Sequence, residues 1–341
     1  PRSSKISVKK CSILISGLLT TLQTVSLKNI HFIDLSLTLA NSVDIQLEEL
    51  VFTNSVIAEE IPQEMDYYRN IEQHFLITIS HCEFKTFNST HFFNFSNIYS
   101  LHLIIKNTNM SNVIIKITSY HFTILFVNSL VYSCSSGSFL HIQPHSPLLP
   151  FFDFLVATKR SLKFIDVRAY SYQECNQSSS FICIKLTNII IIIQQCYFHN
   201  TNTSLLLQNQ EKRYVFNGIN FIFLVKSSSF IHSDIHYGYR GIYINMTSPQ
   251  TLLLKAYVII KNSIFINNSA TLGGACCIDI GIHKQWTETR FQFLVQNTAF
   301  HNNFAKNLGG SLYFTANIPS ITILRCMFSF DCPFSNLFTY D

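Results

Sequence analysis

The sequence predicts an all-β chain wound as a right-handed, single-stranded parallel β-helix, each turn of chain stacked on the one before. Three observations lead there. The segment AYVIIKNSIFINNSATLGGACCIDI from Ala256 is restated as FQFLVQNTAFHNNFAKNLGGSLYFT from Phe291. Val258 and Phe293, Phe265 and Phe300, Asn267 and Asn302, and Ala270 and Ala305 stand 35 residues apart. A period of roughly 20 to 50 residues with short strands is the signature of a solenoid. Second, apolar residues alternate with period two, and no stretch of about twelve residues carries a helical apolar stripe. Third, the centre of the repeat (a small or polar residue, any residue, then Phe) recurs along the chain.

In chain order, those centres are Cys82-Glu83-Phe84, Cys196-Tyr197-Phe198, Ser228-Ser229-Phe230, Ser263-Ile264-Phe265, Thr298-Ala299-Phe300 and Cys326-Met327-Phe328. Looser copies centre on Phe32, Phe52 and Tyr132, and Cys11-Ser12-Ile13 reads as the first. Alternation sends Phe and the small residue two before it to one strand face. Coils stacked at about 4.8 Å then place like over like: a Phe stack, a Cys/Ser/Thr stack and an Asn stack. Asn recurs two residues after the aromatic, at Asn54, Asn200, Asn267 and Asn302. Asn tolerates the left-handed conformation of a corner, and its amide bonds along a ladder. Gly273-Gly274 and Gly309-Gly310 are expected to supply positive φ at a further turn.

The chain of 341 residues reads as one solenoid, 1–341, with both ends truncated. Three insertions interrupt it, near 56–73, 143–160 and 283–290. The first is acidic and carries Tyr67-Tyr68; the second holds Pro144, Pro147 and Pro150; the third holds Trp286. Proline is excluded from a central ladder, and long insertions on a solenoid commonly form its binding face.

Composition excludes several classes. Apolar residues make up 48% and charged residues 13%, too apolar for disorder. The longest aliphatic run, Ile189 to Ile193, is far short of the roughly 20 residues of a spanning helix, so no membrane span is expected within the chain. The basic opening before CSILISGLL is broken by Ser16, Gly17 and Thr20 and reads as a first strand pair, not a signal peptide. Net charge is +5 with Lys and Arg scattered, where a nucleic-acid binder shows a basic stripe; no nucleic-acid partner is expected.

The phrase Phe265-Ile-Asn-Asn-Ser-Ala-Thr-Leu-Gly-Gly-Ala275 resembles the repeats of the polymorphic outer membrane proteins, which pair FxxN with GGA[ILV]. Related surface proteins occur in some parasitic protists. The match covers residues 256–314; the second copy has Gly309-Gly310-Ser311 and one extra residue. The resemblance implies a β-helix passenger displayed at the cell surface or secreted, with adhesion as its work and host-cell surface or glycans as partner.

Candidate chemistry points the same way. The ten cysteines include Cys82, Cys196 and Cys326 at one repeat position, which suits a core stack of thiols, although stacked neighbours approach closely enough to bridge. Of Cys276-Cys277, facing opposite ways, one is expected to be buried. No Cys/His zinc spacing occurs. His232, Asp234 and His236 alternate and would share a face, a donor set suited to a divalent metal, but they lie in a turn where polar residues are expected anyway; no metal or cofactor is assigned. Pectin-lyase-like β-helices also include lyases and hydrolases, which bring carboxylates together. No two of the nine Asp residues here lie within nine positions, and no Gly-x-Ser-x-Gly elbow is present, although stacking could juxtapose Asp34 and Asp66. The expectation is a binding protein without catalysis, a carbohydrate-active enzyme being the alternative and a plain spacer a third reading. Sequons at Asn88, Asn94, Asn109, Asn176, Asn202, Asn245 and Asn267 would carry glycans only in a secretory eukaryotic setting.

Overall fold

The computed structural model describes residues 6–16, 23–40, 43–59, 74–133, 138–143, 160–171, 180–185, 189–201, 204–208, 220–232, 241–245, 255–279, 290–315 and 320–329. Among them every regular element is a strand, and every pairing is parallel to the strand one coil away. The chain is a parallel β-helix whose coils present three faces.

Sheet I holds Gln23–Lys28, Val43–Glu48, His74–Ser80, 100–106, 122–127, Arg160–Ile165, Ile190–Gln194, Asn220–Lys226, Lys255–Lys261, Arg290–Gln296 and Ser320–Leu324. Sheet II runs from Ile6–Lys9 through Ile30–Ile33, Val51–Thr53, 83–85, 109–111, Leu130–Ser133, Arg168–Ser171, Tyr197–His199, Ser229–Ile231, Ile264–Ile266 and Ala299–His301 to Met327–Ser329. Sheet III begins at Ser12–Ser16, Ser36–Ala40 and Val56–Glu59 and ends at Cys276–Asp279 and Leu312–Thr315. Two runs, Glu83–Lys106 and Asn109–Val127, pass through all three sheets without a break in strand structure.

Alternation decides what is inside. In sheet II the central residue of each strand points inward. Register links these residues in one column: Phe32, Phe52, Phe84, Met110, Val131, Ala169, Phe198, Phe230, Phe265, Phe300 and Phe328. Neighbouring rings lie nearly parallel, with centroids 5.0 Å apart for Phe198–Phe230, 4.7 Å for Phe230–Phe265 and 5.2 Å for Phe265–Phe300. Burying each ring is worth about 1.5–3 kcal/mol, with about 0.5–1.5 kcal/mol more from ring contact.

The Phe column is interrupted, and the vacancy is filled from another side. Where it holds Val131 and Ala169, the residues entering sheet III are Phe139 and Phe181, both buried and stacked at 5.1 Å. From Phe198 onward, where the column is again Phe, that entry position is Ser204, Gly241, Ala275 or Ser311. A Cβ on Gly241 would come within 2.9 Å of Phe265 Cδ1. From Leu130 onward the interior is thus filled in every coil while the donor of its bulk changes, as close packing requires.

Two columns of left-handed residues turn the corners. Between sheets I and II stand Asn29, Glu49, His81, Asn107, Asn128, Asp166, Gln195, Ser227, Asn262, Asn297 and Arg325, all at positive φ. Between sheets II and III stand Lys10, Asp34, Asn54, Asn112, Asn200, Asn267 and Asn302. Asparagine amides bond along both columns: Asn128 Nδ2 donates to Asn107 Oδ1 (2.7 Å), Asn297 to Asn262 (3.1 Å) and Asn302 to Asn267 (2.8 Å).

After Asn29, Glu49 and Asp166 the residue that follows the first corner is Ile30, Leu50 or Val167; where that residue is small and polar, it has a defined task. Its hydroxyl or thiol donates to the carbonyl two residues back, as for Ser228 to Lys226 (2.9 Å), Ser263 to Lys261 (2.8 Å) and Thr298 to Gln296 (3.0 Å). Its oxygen also accepts the buried N–H of the coil below: Cys196 N–H to Ser228 Oγ (3.1 Å) and Ser228 N–H to Ser263 Oγ (3.3 Å). At the second corner Asn303 does the same for Asn268, accepting its N–H (3.1 Å) and Nδ2 (2.9 Å) while donating to the Phe265 carbonyl (3.0 Å). A buried N–H left by a tight corner must find a partner, and these side chains supply one.

Several expectations change. Tyr132 is not a core centre: Val131 takes the inward position and Tyr132 faces out. Cys11 belongs to the second corner, since its carbonyl accepts the Ser36 N–H (3.0 Å). Of the four glycines in the two pairs, Gly273 (φ 56°) and Gly309 (φ 67°) are left-handed, and Gly274 and Gly310 are not. Gly274 is needed for space instead, because a Cβ there would lie 2.4 Å from the Gly310 carbonyl oxygen. Both Cys276 and Cys277 are buried. Ser269–Leu272 pairs with Phe304–Leu308 in a separate two-stranded sheet, and the glycine turns that follow lie against Tyr313, which shares the outward register column of Cys277. The extra residue of the second repeat copy is absorbed there as a register shift between Ala270 and Leu272.

Candidate functional site

Corner architecture restricts where the coils vary. From sheet I to sheet II the chain always passes through one left-handed residue and one inward residue, with described strands on both sides. Stretches outside the described residues fall elsewhere. Residues 60–73, 144–159, 209–219, 246–254 and 280–289 each join the end of a sheet III strand to the start of a sheet I strand. Their flanking strands therefore lie along one edge of the solenoid. Val56–Glu59, placed at the start of an insertion by its sequence, is strand, with Ile57 in the core; Gln143, Arg160 and Arg290 are likewise strand residues. The candidate contact residues Tyr67, Tyr68 and Trp286 lie outside the described residues, as do the remaining parts of the three insertions.

The alternating His232, Asp234, His236 set does not come through as a described site. Asp234 and His236 lie outside the described residues, and His232 is buried. Its N–H donates to the Ile266 carbonyl (3.1 Å). Burial, followed by the nearby His199, pushes its imidazole down to about 3, outweighing the Asn268 hydrogen bond that acts in the opposite sense. A neutral, buried imidazole beside the asparagine ladder is a packing residue of the corner. No group of three or more His, Cys, Asp or Glu able to hold a metal ion occurs among the described residues.

Asp34 does not stack on a second carboxylate. It is a second-corner residue, its N–H donating to the Thr53 carbonyl (2.9 Å), and its column neighbours are Lys10 and Asn54. Asp66 lies outside the described residues.

The thiols at the repeat position are packing groups. Cys82 and Cys196 are buried and Cys326 half-buried, in the column that also holds Ser228, Ser263 and Thr298. Register never puts two of these three on adjacent coils, so the bridging that stacking suggested has no partner in this column. Burial pushes the Cys196 thiol up to about 12, and Cys276 is raised by burial and then by Cys277. Among the sequons, Asn109 is exposed, whereas Asn267 is committed to the ladder, donating to the His232 carbonyl (3.0 Å) and accepting from Asn302.

One cluster escaped the sequence reading. On the outward face of sheet II, register aligns Leu130, Arg168 and Tyr197 in one column and Tyr132, Tyr170 and His199 in the next. Tyr132 stacks on Tyr170 with centroids 5.4 Å apart, and Tyr197 on His199 at 5.9 Å. Tyr170 joins the two pairs, 5.7 Å from Tyr197 and 6.1 Å from His199. All four rings are half-buried and Arg168 is exposed. The signal was present in the repeat itself: counting outward positions on either side of Val131, Ala169 and Phe198 gives these residues directly.

No protein-family model matches the chain, and no curated protein or solved structure matches it. No helix among the described residues is long and apolar enough to cross a membrane.

Proposed function

We propose that this chain is a surface-displayed or secreted β-helix that works by binding, its partner being a host-cell surface or its glycans. The observation that carries the reading is the division of labour among the corners. One corner is fixed to two residues in every coil, while the connections from sheet II to sheet III and from sheet III to sheet I differ in length from coil to coil. A rigid scaffold with one fixed corner and variable loops at the others is an arrangement in which solenoids present binding surfaces. The resemblance of residues 256–314 to polymorphic outer membrane protein repeats supports display at a surface.

The test is adhesion of the purified chain to cultured cells and to a glycan panel, with polysaccharide chain length followed in parallel. Saturable binding without shortening of any polysaccharide is expected. Absence of binding to cells and glycans alike would overturn the reading, and shortened chains would replace it with the enzymatic one.

A further inference from the structure

We propose that the outward face of sheet II over Leu130–Ser133, Arg168–Ser171 and Tyr197–His199 binds an acidic oligosaccharide, held by Arg168 together with Tyr132, Tyr170, Tyr197 and His199. The inference rests on the binding reading above and names its site and ligand class.

Packing does not account for these rings. In the same coils the inward positions are Val131, Ala169 and Phe198, and the interior is completed by Phe139 and Phe181. Aromatic mass has been added outside a core that is already filled. The surrounding outward positions are ordinary: Asn109 and Ser111 one coil below, Ser229 and Ile231 one coil above. The cluster is therefore a bounded patch on consecutive coils and not a property of the whole face.

Its chemistry selects the ligand. Tyr and His rings offer carbon faces and edges with polar tips, the surface that suits a ligand carrying both C–H faces and hydroxyls. Arg168 is exposed and takes no ion-pair partner among the described residues; Leu130 and Tyr197, its column neighbours, are uncharged. Asp166, two residues earlier, stands in the corner column between Asn128 and Gln195 and is not ion-paired with it. A guanidinium set beside aromatic rings recognises a carboxylate or sulfate through paired N–H donors. A single arginine is too little for a nucleic acid, whose binding requires several phosphates to be neutralised. Along the solenoid axis Tyr132, Tyr170 and His199 follow one another with centroids 5.4 and 6.1 Å apart, a spacing on the scale of one sugar ring, so an oligosaccharide running along the axis meets about one ring per unit.

The experiment titrates the whole chain with a uronate oligosaccharide, with the carboxyl-reduced neutral oligosaccharide and with an acidic peptide, comparing the native protein with Arg168→Gln and Tyr170→Leu. Arg168 is exposed, so R168Q leaves the coil intact, which circular dichroism checks. The native chain is expected to bind the uronate at least tenfold more tightly than the neutral sugar. R168Q should erase that preference, and Y170L should weaken both sugars at least fivefold. Uronate binding that neither variant alters overturns the site while leaving the binding reading in place. No binding to any glycan or cell overturns both. An acidic peptide that binds as tightly as the uronate overturns the ligand class.

Discussion

Two adjacent asparagines, Asn302 and Asn303, should differ sharply in what they contribute. Asn303 is 2% exposed, and its side chain makes three contacts: it accepts from the Asn268 N–H and Nδ2 and donates to the Phe265 carbonyl. Asn303→Ala leaves the buried Asn268 N–H unpaired, at about 1–3 kcal/mol, and forfeits two further bonds at about 1 kcal/mol each. The total is about 3–5 kcal/mol. Asn302 sits at the left-handed corner, half-exposed, and its amide makes one ladder bond to Asn267 (2.8 Å). Asn302→Gly keeps the left-handed backbone accessible and removes that bond, at about 0.5–1.5 kcal/mol. Urea unfolding followed by circular dichroism gives both values, provided the denaturant slope is unchanged between variants. Equal losses, or an Asn303→Ala loss below about 1 kcal/mol, would refute the claim that a buried amide column satisfies the corner N–H groups.

Other expectations follow from the same geometry. The folded-state pKa of His232 is depressed to about 3, so the unfolded chain takes up a proton that the folded chain refuses as pH falls from the ordinary imidazole range toward 3. Stability at pH 5 should be about 2 kcal/mol below that at pH 8 on this account, and His232→Gln should flatten that difference; an unchanged pH profile in the variant would refute it. Cys11 and Cys326 are half-buried whereas Cys82, Cys196 and Cys276 are buried. Mass-mapped alkylation of the native chain at pH 8 should therefore mark the first two well before the others, and early labelling of Cys196 would contradict its burial. Gln195 holds φ 55° without a side chain suited to it. Gln195→Asn should raise the urea midpoint by an amount equivalent to up to about 1 kcal/mol, and a lower midpoint would show that the left-handed corner is not under strain.

Much of the coil was legible because its determinants are local. The Phe265 and Phe300 copies, the asparagines that follow them, and the two-residue alternation before them are all read within a few positions, and the structure puts each on its ladder. What was not legible depends on residues far apart in sequence. Val131 looked like a flanking position for Tyr132 because nothing nearby reveals that Phe139 and Phe181 fill its space. The first left-handed corner was hidden by Glu49, Gln195 and Arg325, residue types with no preference for that conformation, held there by the strands on either side. Cys277 is buried by a fold-back that no alternation pattern reports. The Tyr132, Tyr170, Tyr197 and His199 cluster became visible only once Val131 and Ala169 had fixed the frame of their strands.

The stacking register is tested most directly by dipolar distances between spin labels on the outward face of sheet II. Asn109, Arg168, Ile264 and Met327 share one column, with Leu130, Tyr197, Ser229 and Ala299 between them. Arg168, Ile264 and Met327 are thus two, five and seven coils from Asn109. At about 4.8 Å per coil, the backbone separations should be about 10, 24 and 34 Å. A straight line of distance against coil number, with that slope, is the predicted result. Distances that follow sequence separation, or that fail to grow from Ile264 to Met327, would contradict the β-helix and the sheet II site built on it.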